Sequence, residues 1–423
     1  MSALLTWSAA FIIAAIILYA TFYFLGRRRA TPPWQFDSKA MPEMSEIIPS
    51  LAGMTEGHWY EGNKVEVLTN GELFQPFLRD IDEAQKTVHL ETFVWWAGDL
   101  EKRVADALIA AAGRGVEVRL MVDGVGSMKR TDGIFRKLRD GGVQLHVFSP
   151  LTLLKIHRFN ERTHRKLLIV DGKVGYTMGH GIADEWLGNA QGQGSFRDTG
   201  VRLTGPIVHG LQTVFVTGWI SETCEVLCGD AVFPSLKTAG DVPMSIVASA
   251  AGDQYSSVEL AYSFCIAAAK REILIQNPYF APDRNVVSLL CDAARRGVSV
   301  RLMLPGSSND SNLIRRAAQY LYPQLLDAGV DVLEFTPTLL HQKVMVVDGE
   351  LARIGSTNFD CRSLELNQEA GVAILNSEIA EQLRSQFFTD AQRCRRISKS
   401  EVDNYSLTTR ALGAATYMIH AQL

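Results

Sequence analysis

Two stretches of the 423-residue chain carry a His, a Lys and an Asp in the order H-x-K-x-x-x-x-D. They are His164, Lys166 and Asp171 in THRKLLIVDG, and His341, Lys343 and Asp348 in LHQKVMVVDG. An imidazole can attack an electrophile or pass a proton, and a fixed ammonium can bind a phosphate oxygen. Each pair opens an apolar run that ends in an Asp-Gly turn, which reads as a strand, and on a strand residues i and i+2 project to one side. Two such pairs brought face to face divide the work of phosphodiester chemistry. One imidazole attacks phosphorus and the other protonates the leaving oxygen. The two Lys, with Ser356 and Asn358 of the G-S-x-N turn after the second motif, neutralise the charge on the phosphoryl oxygens. This scheme requires no metal or cofactor.

An attacking imidazole must be held in one tautomer, which calls for a carboxylate on its far nitrogen. The sequence offers DTGVRL from Asp198 and EAGVAI from Glu369, each downstream of one motif, so Asp198 is expected to orient His164 and Glu369 to orient His341. Asp171 and Asp348 are candidates for catalysis too. An Asp before Gly at a turn serves equally to cap backbone amides.

The elements that must position these groups repeat. GRGVEVRLMVDG (Gly113 to Gly124) answers to RRGVSVRLMLPG (Arg295 to Gly306), and FRKLRDGGVQLHVFSP to YPQLLDAGVDVLEFTP, each block leading into its own motif. The strand KTVHLETFVWWAGD has its counterpart in REILIQNPYFAPD. A repeat this long is two homologous lobes rather than a solenoid unit. Short β-branched runs alternate with helical periodicity, which predicts an α/β fold with a mixed or mostly parallel sheet in each lobe and a pseudo-two-fold axis between them. The expected division is an anchor with basic flank at 1–29, a linker at 30–62, lobes at 63–240 and 241–400, and a tail at 401–423.

Composition is that of a globular protein, 47% hydrophobic and 21% charged, and a net charge of −4 gives no global field for nucleic acid. The six cysteines form no C-x-x-C pair, and Cys224 and Cys228 have no His or second Cys pair beside them, so no metal site is expected. The uncharged run Leu4–Leu25 is long enough to cross about 30 Å of hydrocarbon, and Arg27, Arg28 and Arg29 follow it, which predicts a single uncleaved anchor with the remainder cytoplasmic. Thr31 to Gly57, with four prolines, reads as a tether with little order.

At its two motifs the chain resembles the phospholipase D superfamily, and within it the bacterial cardiolipin synthases. NPYFAPD (Asn277 to Asp283), LPG (Leu304 to Gly306) and GSTNFDCRSLELNQE (Gly355 to Glu369) carry that finer likeness, and the resemblance spans about Lys64 to Arg395. It implies a ping-pong route through a phosphohistidine, with His164 as nucleophile, His341 as acid and base, Lys166, Lys343 and Asn358 as phosphate binders, and Asp198 and Glu369 orienting the imidazoles. The sequence departs from the family in two places. Met178 to Gly181 reads M-G-H-G where the family has Gly-Gly-x-Asn, so Gly181 replaces the amide. His180 there is either a turn residue near solvent or a partner in phosphate binding. The family's synthases often carry two N-terminal membrane helices, and this chain has one.

The implied activity is phosphatidyl transfer from one phospholipid to the hydroxyl of another, with phospholipids and membrane as partners and no nucleic acid. A hydrolase on the same residues is the nearest alternative, ahead of a nuclease or a non-catalytic membrane scaffold. Two further stretches are candidates for lipid contact. The tail ALGAATYMIHAQL could lie on a membrane or pack on its lobe, and LTLLKIHRF (Leu151 to Phe159) mixes apolar and basic residues.

Overall fold

The computed structural model describes residues 34–37, 40–150, 160–192, 194–249 and 255–420, with 7, 8, 11–16 and 19 near the N-terminus. Most of the expected anchor Leu4–Leu25, all of Arg27 to Arg29 and the stretch Leu151 to Phe159 lie outside these. Among the described residues no helix is long and apolar enough to cross a membrane.

In the first half the strands are β1 (Trp59–Thr69), β2 (Thr87–Thr92), β3 (Glu117–Asp123), β4 (Gln144–Phe148), β5 (Leu167–Val170), β6 (Val174–Met178) and β7 (Thr199–Thr204). The second half contributes β8 (Val242–Ala248), β9 (Glu272–Gln276), β10 (Phe280–Ala281), β11 (Ser299–Pro305), β12 (Asp331–Phe335), β13 (Val344–Val347), β14 (Leu351–Gly355), β15 (Phe359–Asp360), β16 (Ala370–Leu375) and β17 (Cys394–Arg396). All but β10 and β15 form one sheet, in the order β17-β12-β11-β9-β13-β14-β16-β8-β1-β7-β6-β5-β2-β3-β4. The halves meet at the antiparallel pair β1 and β8.

The sheet is mixed rather than mostly parallel, and antiparallel pairings predominate. Parallel pairing occurs in it where a helix carries the chain over, from β2 through Asp99–Gly113 to β3 and on through Ile134–Asp140 to β4, and likewise among β9, β11 and β12. The motif strands are instead joined to their neighbours by hairpins, β5 to β6 and β13 to β14. Three-residue connections, Asp171-Gly172-Lys173 and Asp348-Gly349-Glu350, permit only antiparallel continuation. The Asp and Gly of each take positive φ, 52° and 60° at Asp171 and Gly172, 54° and 67° at Asp348 and Gly349.

Side chains of the motif strands alternate between two apolar layers. Leu167 and Ile169 of β5 and Val344 and Val346 of β13 enter one core shared by both halves, which is covered by the helices Ile207–Thr223 and Ser377–Ala391. Leu168 and Val170 face the first half's own core, Met345 and Val347 the second's. A strand buried on both faces is nearly continuous in apolar residues, which is how KLLIVDG and KVMVVDG read.

At the chain ends one expectation changes, and of two alternatives one is realised. The tether predicted through Gly57 is folded from Met44 onward, because Ile47, Ile48 and Leu51 of the helix Ile47–Met54 are buried in the second half's core. The tail forms the helix Leu407–Met418, capped by Ser406 on the Thr409 amide (3.1 Å) and packed on the second half, with Tyr417 stacked on Tyr320 at 5.2 Å.

Candidate active site

His164 and His341 precede the motif strands β5 and β13 and line one cavity of about 370 Å³ between the halves. Each is stitched at its backbone to the segment that leads to the other half's carboxylate. The His164 amide donates to Gln368 O (2.9 Å), and the His341 amide to Arg197 O (2.7 Å). The carboxylates therefore pair across the halves, opposite to the expected pairing. His164 Nδ1 lies 2.9 Å and 3.2 Å from the two oxygens of Glu369, and His341 Nδ1 lies 2.7 Å from Asp198 Oδ2.

Because an ionised carboxylate only accepts, Nδ1 of each ring carries the proton and Nε2 keeps the lone pair. Both carboxylates are fully buried and held by further donors. Asp198 accepts from the Thr199 amide and the Trp186 indole, each at 2.8 Å, and Glu369 accepts from the Ser356 hydroxyl. Ser356, expected to bind phosphate, acts instead behind His164. Asn358 does line the cavity. Burial alone would raise the pKa of both carboxyls, but the adjacent rings and lysines outweigh it and hold both below the usual range.

The same burial acts oppositely on the cations. His164 is pushed down to about 4 and His341 to about 3, against the attraction of their carboxylates. Lys166 falls to about 7 and Lys343 to about 8, each also feeling charges from the other half. Lys166 Nζ donates to His164 O (2.7 Å), whereas Lys343 Nζ donates to His341 O (2.6 Å) and sits 2.8 Å and 3.1 Å from the two nitrogens of the His341 ring. A site whose cations are strained toward neutrality favours an arriving anion, which restores their charge.

Asp171 and Asp348 stand apart from this cavity. The Asp171 carboxylate accepts from the amides of Gln85, Lys86 and Thr87 at 2.7–3.1 Å, and Asp348 from those of Lys270, Arg271 and Glu272 at 2.7–2.9 Å. Each pins its hairpin to the start of the neighbouring strand, β2 or β9, so the structural use of these residues is realised and the catalytic one is not. His180 is neither a solvent-facing turn residue nor a cavity residue. It is buried, with Nε2 2.9 Å from Asn70 O and its ring edge against Phe74. Its neighbour Gly179 is required by contact, since a Cβ there would lie 2.2 Å from Asp198 Oδ1.

Other residues of the site carry no motif. Phe93 meets the His164 ring edge-on at 5.0 Å, and Trp186 and Phe196 flank His341 at 5.1 Å and 6.0 Å. Arg162, Tyr279, Asp360 and Arg362 also line the cavity. Asp360 adjoins the G-S-x-N turn as NFD, and Tyr279 lies in NPYFAPD, a stretch that carries the family likeness; those are the signals that could have found them.

Paired imidazoles with buffered tautomers, two lysines and one shared cavity define a phosphodiester-transfer enzyme of the phospholipase D type. The chain matches the family described as "Cardiolipin synthase, PLD-like domain" over residues 77–184 and 263–391. It is 35% identical over 375 residues to the major cardiolipin synthase ClsA of Bacillus subtilis, covering 88% of this chain and 78% of that protein. A cardiolipin synthase of Oceanobacillus iheyensis is 30% identical over 378 residues, 89% and 79% of the two chains. The chain belongs to the cardiolipin synthase family of phospholipase D-like proteins, and is a phosphatidyltransferase of that type. Among solved structures, a phosphatidylserine synthase of Haemophilus influenzae shares the fold at a TM-score of 0.64 and 14% identity, over 85% of this chain and 95% of that one.

Proposed function

We propose that the protein joins two molecules of phosphatidylglycerol into cardiolipin, releasing glycerol, through a covalent phosphatidyl-histidine on His164. The observation that carries this reading is the pair of imidazoles facing one cavity, each with Nδ1 committed to a buried carboxylate and Nε2 available. In the first step the arriving phosphodiester anion raises the His341 pKa, so that its Nε2 takes up a proton from solvent. His164 Nε2 then attacks phosphorus, the bond from phosphorus to the headgroup oxygen breaks, and His341 Nε2 passes that proton to the departing glycerol. In the second, a hydroxyl of the acceptor lipid gives its proton to His341 and its oxygen displaces His164, whose ring recovers the electron pair. Lys166, Lys343 and Asn358 balance the phosphoryl charge throughout. The choice of His164 as nucleophile rests on the family resemblance.

Transfer rather than hydrolysis is favoured by the aromatic walls at Phe93, Trp96, Trp186 and Phe196, whose apolar surface suits a lipid acceptor better than water. The matching strand orders of the halves, β1-β7-β6-β5-β2-β3-β4 and β8-β16-β14-β13-β9-β11-β12, support two lobes related by a pseudo-two-fold axis. The apolar run before Arg27 supports a single-pass anchor with the lobes in the cytoplasm, keeping the site at a high effective concentration of lipid. Purified protein given labelled phosphatidylglycerol in vesicles tests the activity. Cardiolipin with an equivalent of glycerol is expected; phosphatidic acid alone would make the protein a hydrolase.

A further inference from the structure

We propose that the ribbon β10–β15 forms the acceptor subsite, in which Asp360 with Tyr279 recognises the vicinal diol of a glycerol headgroup. The inference rests on the transferase reading above. The ribbon stands outside the main sheet, pairing Phe280 with Phe359 and Ala281 with Asp360 in parallel. Asn277 fastens its two chains, accepting from the Tyr279 amide (3.2 Å) and the Phe359 amide (3.0 Å) and donating to Thr357 O (3.2 Å). Behind it Phe359 packs edge-on to Tyr262 at 4.8 Å. So small a ribbon, so firmly anchored, holds Tyr279, Asn358 and Asp360 together on the wall of the cavity that contains both histidines.

Beside Arg162 and Arg362, this wall carries two carboxylates that are wrong for phosphate. Asp360 is 2% exposed, is capped by the Ser363 amide at 2.8 Å, and has no place in the phosphoryl chemistry. The Tyr279 hydroxyl donates to a second carboxylate, Asp310, at 2.7 Å, and Asp310 also lines the cavity. A carboxylate near a phosphodiester is repulsive unless it has hydroxyl groups to accept from, and a vicinal diol supplies two. Burial pushes the Asp360 carboxyl up to about 7, which softens that repulsion and lets the group both donate and accept. One hydroxyl of the diol then attacks phosphorus, losing its proton to His341 as the bond to His164 breaks, while its neighbour is held by Asp360. Water and simple alcohols lack that second hydroxyl.

The test uses the full chain in detergent micelles with phosphatidylglycerol as donor and equal concentrations of 1,2-propanediol and n-propanol as competing acceptors. The phosphatidyl products are separated by mass. The wild type should favour the diol by roughly tenfold, the worth of one hydrogen bond to a charged group. Asp360→Asn, nearly isosteric, should bring the product ratio toward one, and Tyr279→Phe should lower it as an independent reading should the first variant fold poorly. Equal use of both alcohols by the wild type, or lower turnover in both variants at an unchanged product ratio, would overturn the subsite. Phosphatidic acid as the sole product of the wild type would instead bring down the transferase reading on which it rests.

Discussion

His164 and His341 each lean on a carboxylate contributed by the other half, and this crossing is the residue-scale feature most open to test. Glu369→Gln should shift the imidazole Nδ1–H resonance of His164 and leave that of His341 in place, with Asp198→Asn doing the reverse; proton NMR of the two variants reads this directly. Each change should lower kcat by roughly 10³- to 10⁴-fold, as wrong-tautomer variants of other imidazole catalysts do. The pH profile follows from the site's burial. The rings are neutral above about 4, so the nucleophile is ready through the physiological range. The cationic lysines lose their protons as pH rises through about 7 and about 8, so kcat/KM for the donor lipid should decline above neutrality. A profile that keeps rising to pH 9 would contradict that role. Both histidines, both lysines and both carboxylates were legible in the sequence. Their pairing was not, because a repeated motif is satisfied equally by carboxylates paired within a half or across halves, and only the backbone contacts Arg197–His341 and Gln368–His164 decide between them.

At the scale of elements, the Asp-Gly hairpins explain why a motif defined by three residues uses only two for chemistry. Asp171→Asn weakens a carboxylate that accepts three amides, and should cost about 1–3 kcal/mol of stability with kcat within a few-fold of wild type, measured by denaturant unfolding and by assay at low temperature. A loss of kcat without loss of stability would return Asp171 to the catalytic set. Gly179→Ala acts on both. A methyl group 2.2 Å from Asp198 Oδ1 must push that carboxylate off His341, so kcat should fall by about 100-fold, the usual cost of displacing a positioning group. Because the carboxylate is buried and holds the Thr199 amide and the Trp186 indole, unfolding should shift to lower denaturant as well. Strand and helix periodicity predicted an α/β fold with a mixed or mostly parallel sheet, and the sheet is mixed. Alternation along a strand carries no record of its neighbour's polarity, so the choice between the two rested on the connections: helix crossovers make the parallel pairs and tight Asp-Gly turns make the motif hairpins antiparallel.

For the whole molecule, one sheet runs through both halves and one apolar layer beneath it draws residues from each, including Phe215 and Val201 with Val372 and Leu383. The two motifs are thus held against one another by the core rather than by a flexible linker. Sequence periodicity could not reveal this, since the residues that join the halves are ordinary apolar positions of β8, β16 and the helix Ile207–Thr223. The order of the segment before β1 was also hidden, because its prolines mask a short helix whose Ile47, Ile48 and Leu51 find their partners more than 190 residues later, at Val247 onward. The measurement that bears most directly on the mechanism is the capture of the covalent intermediate. Protein mixed with labelled phosphatidylglycerol and quenched with base within milliseconds should yield one labelled peptide, the one containing His164, and the label should vanish in His164→Ala. Label on His341, or cardiolipin formed at full rate by His164→Ala, would contradict it.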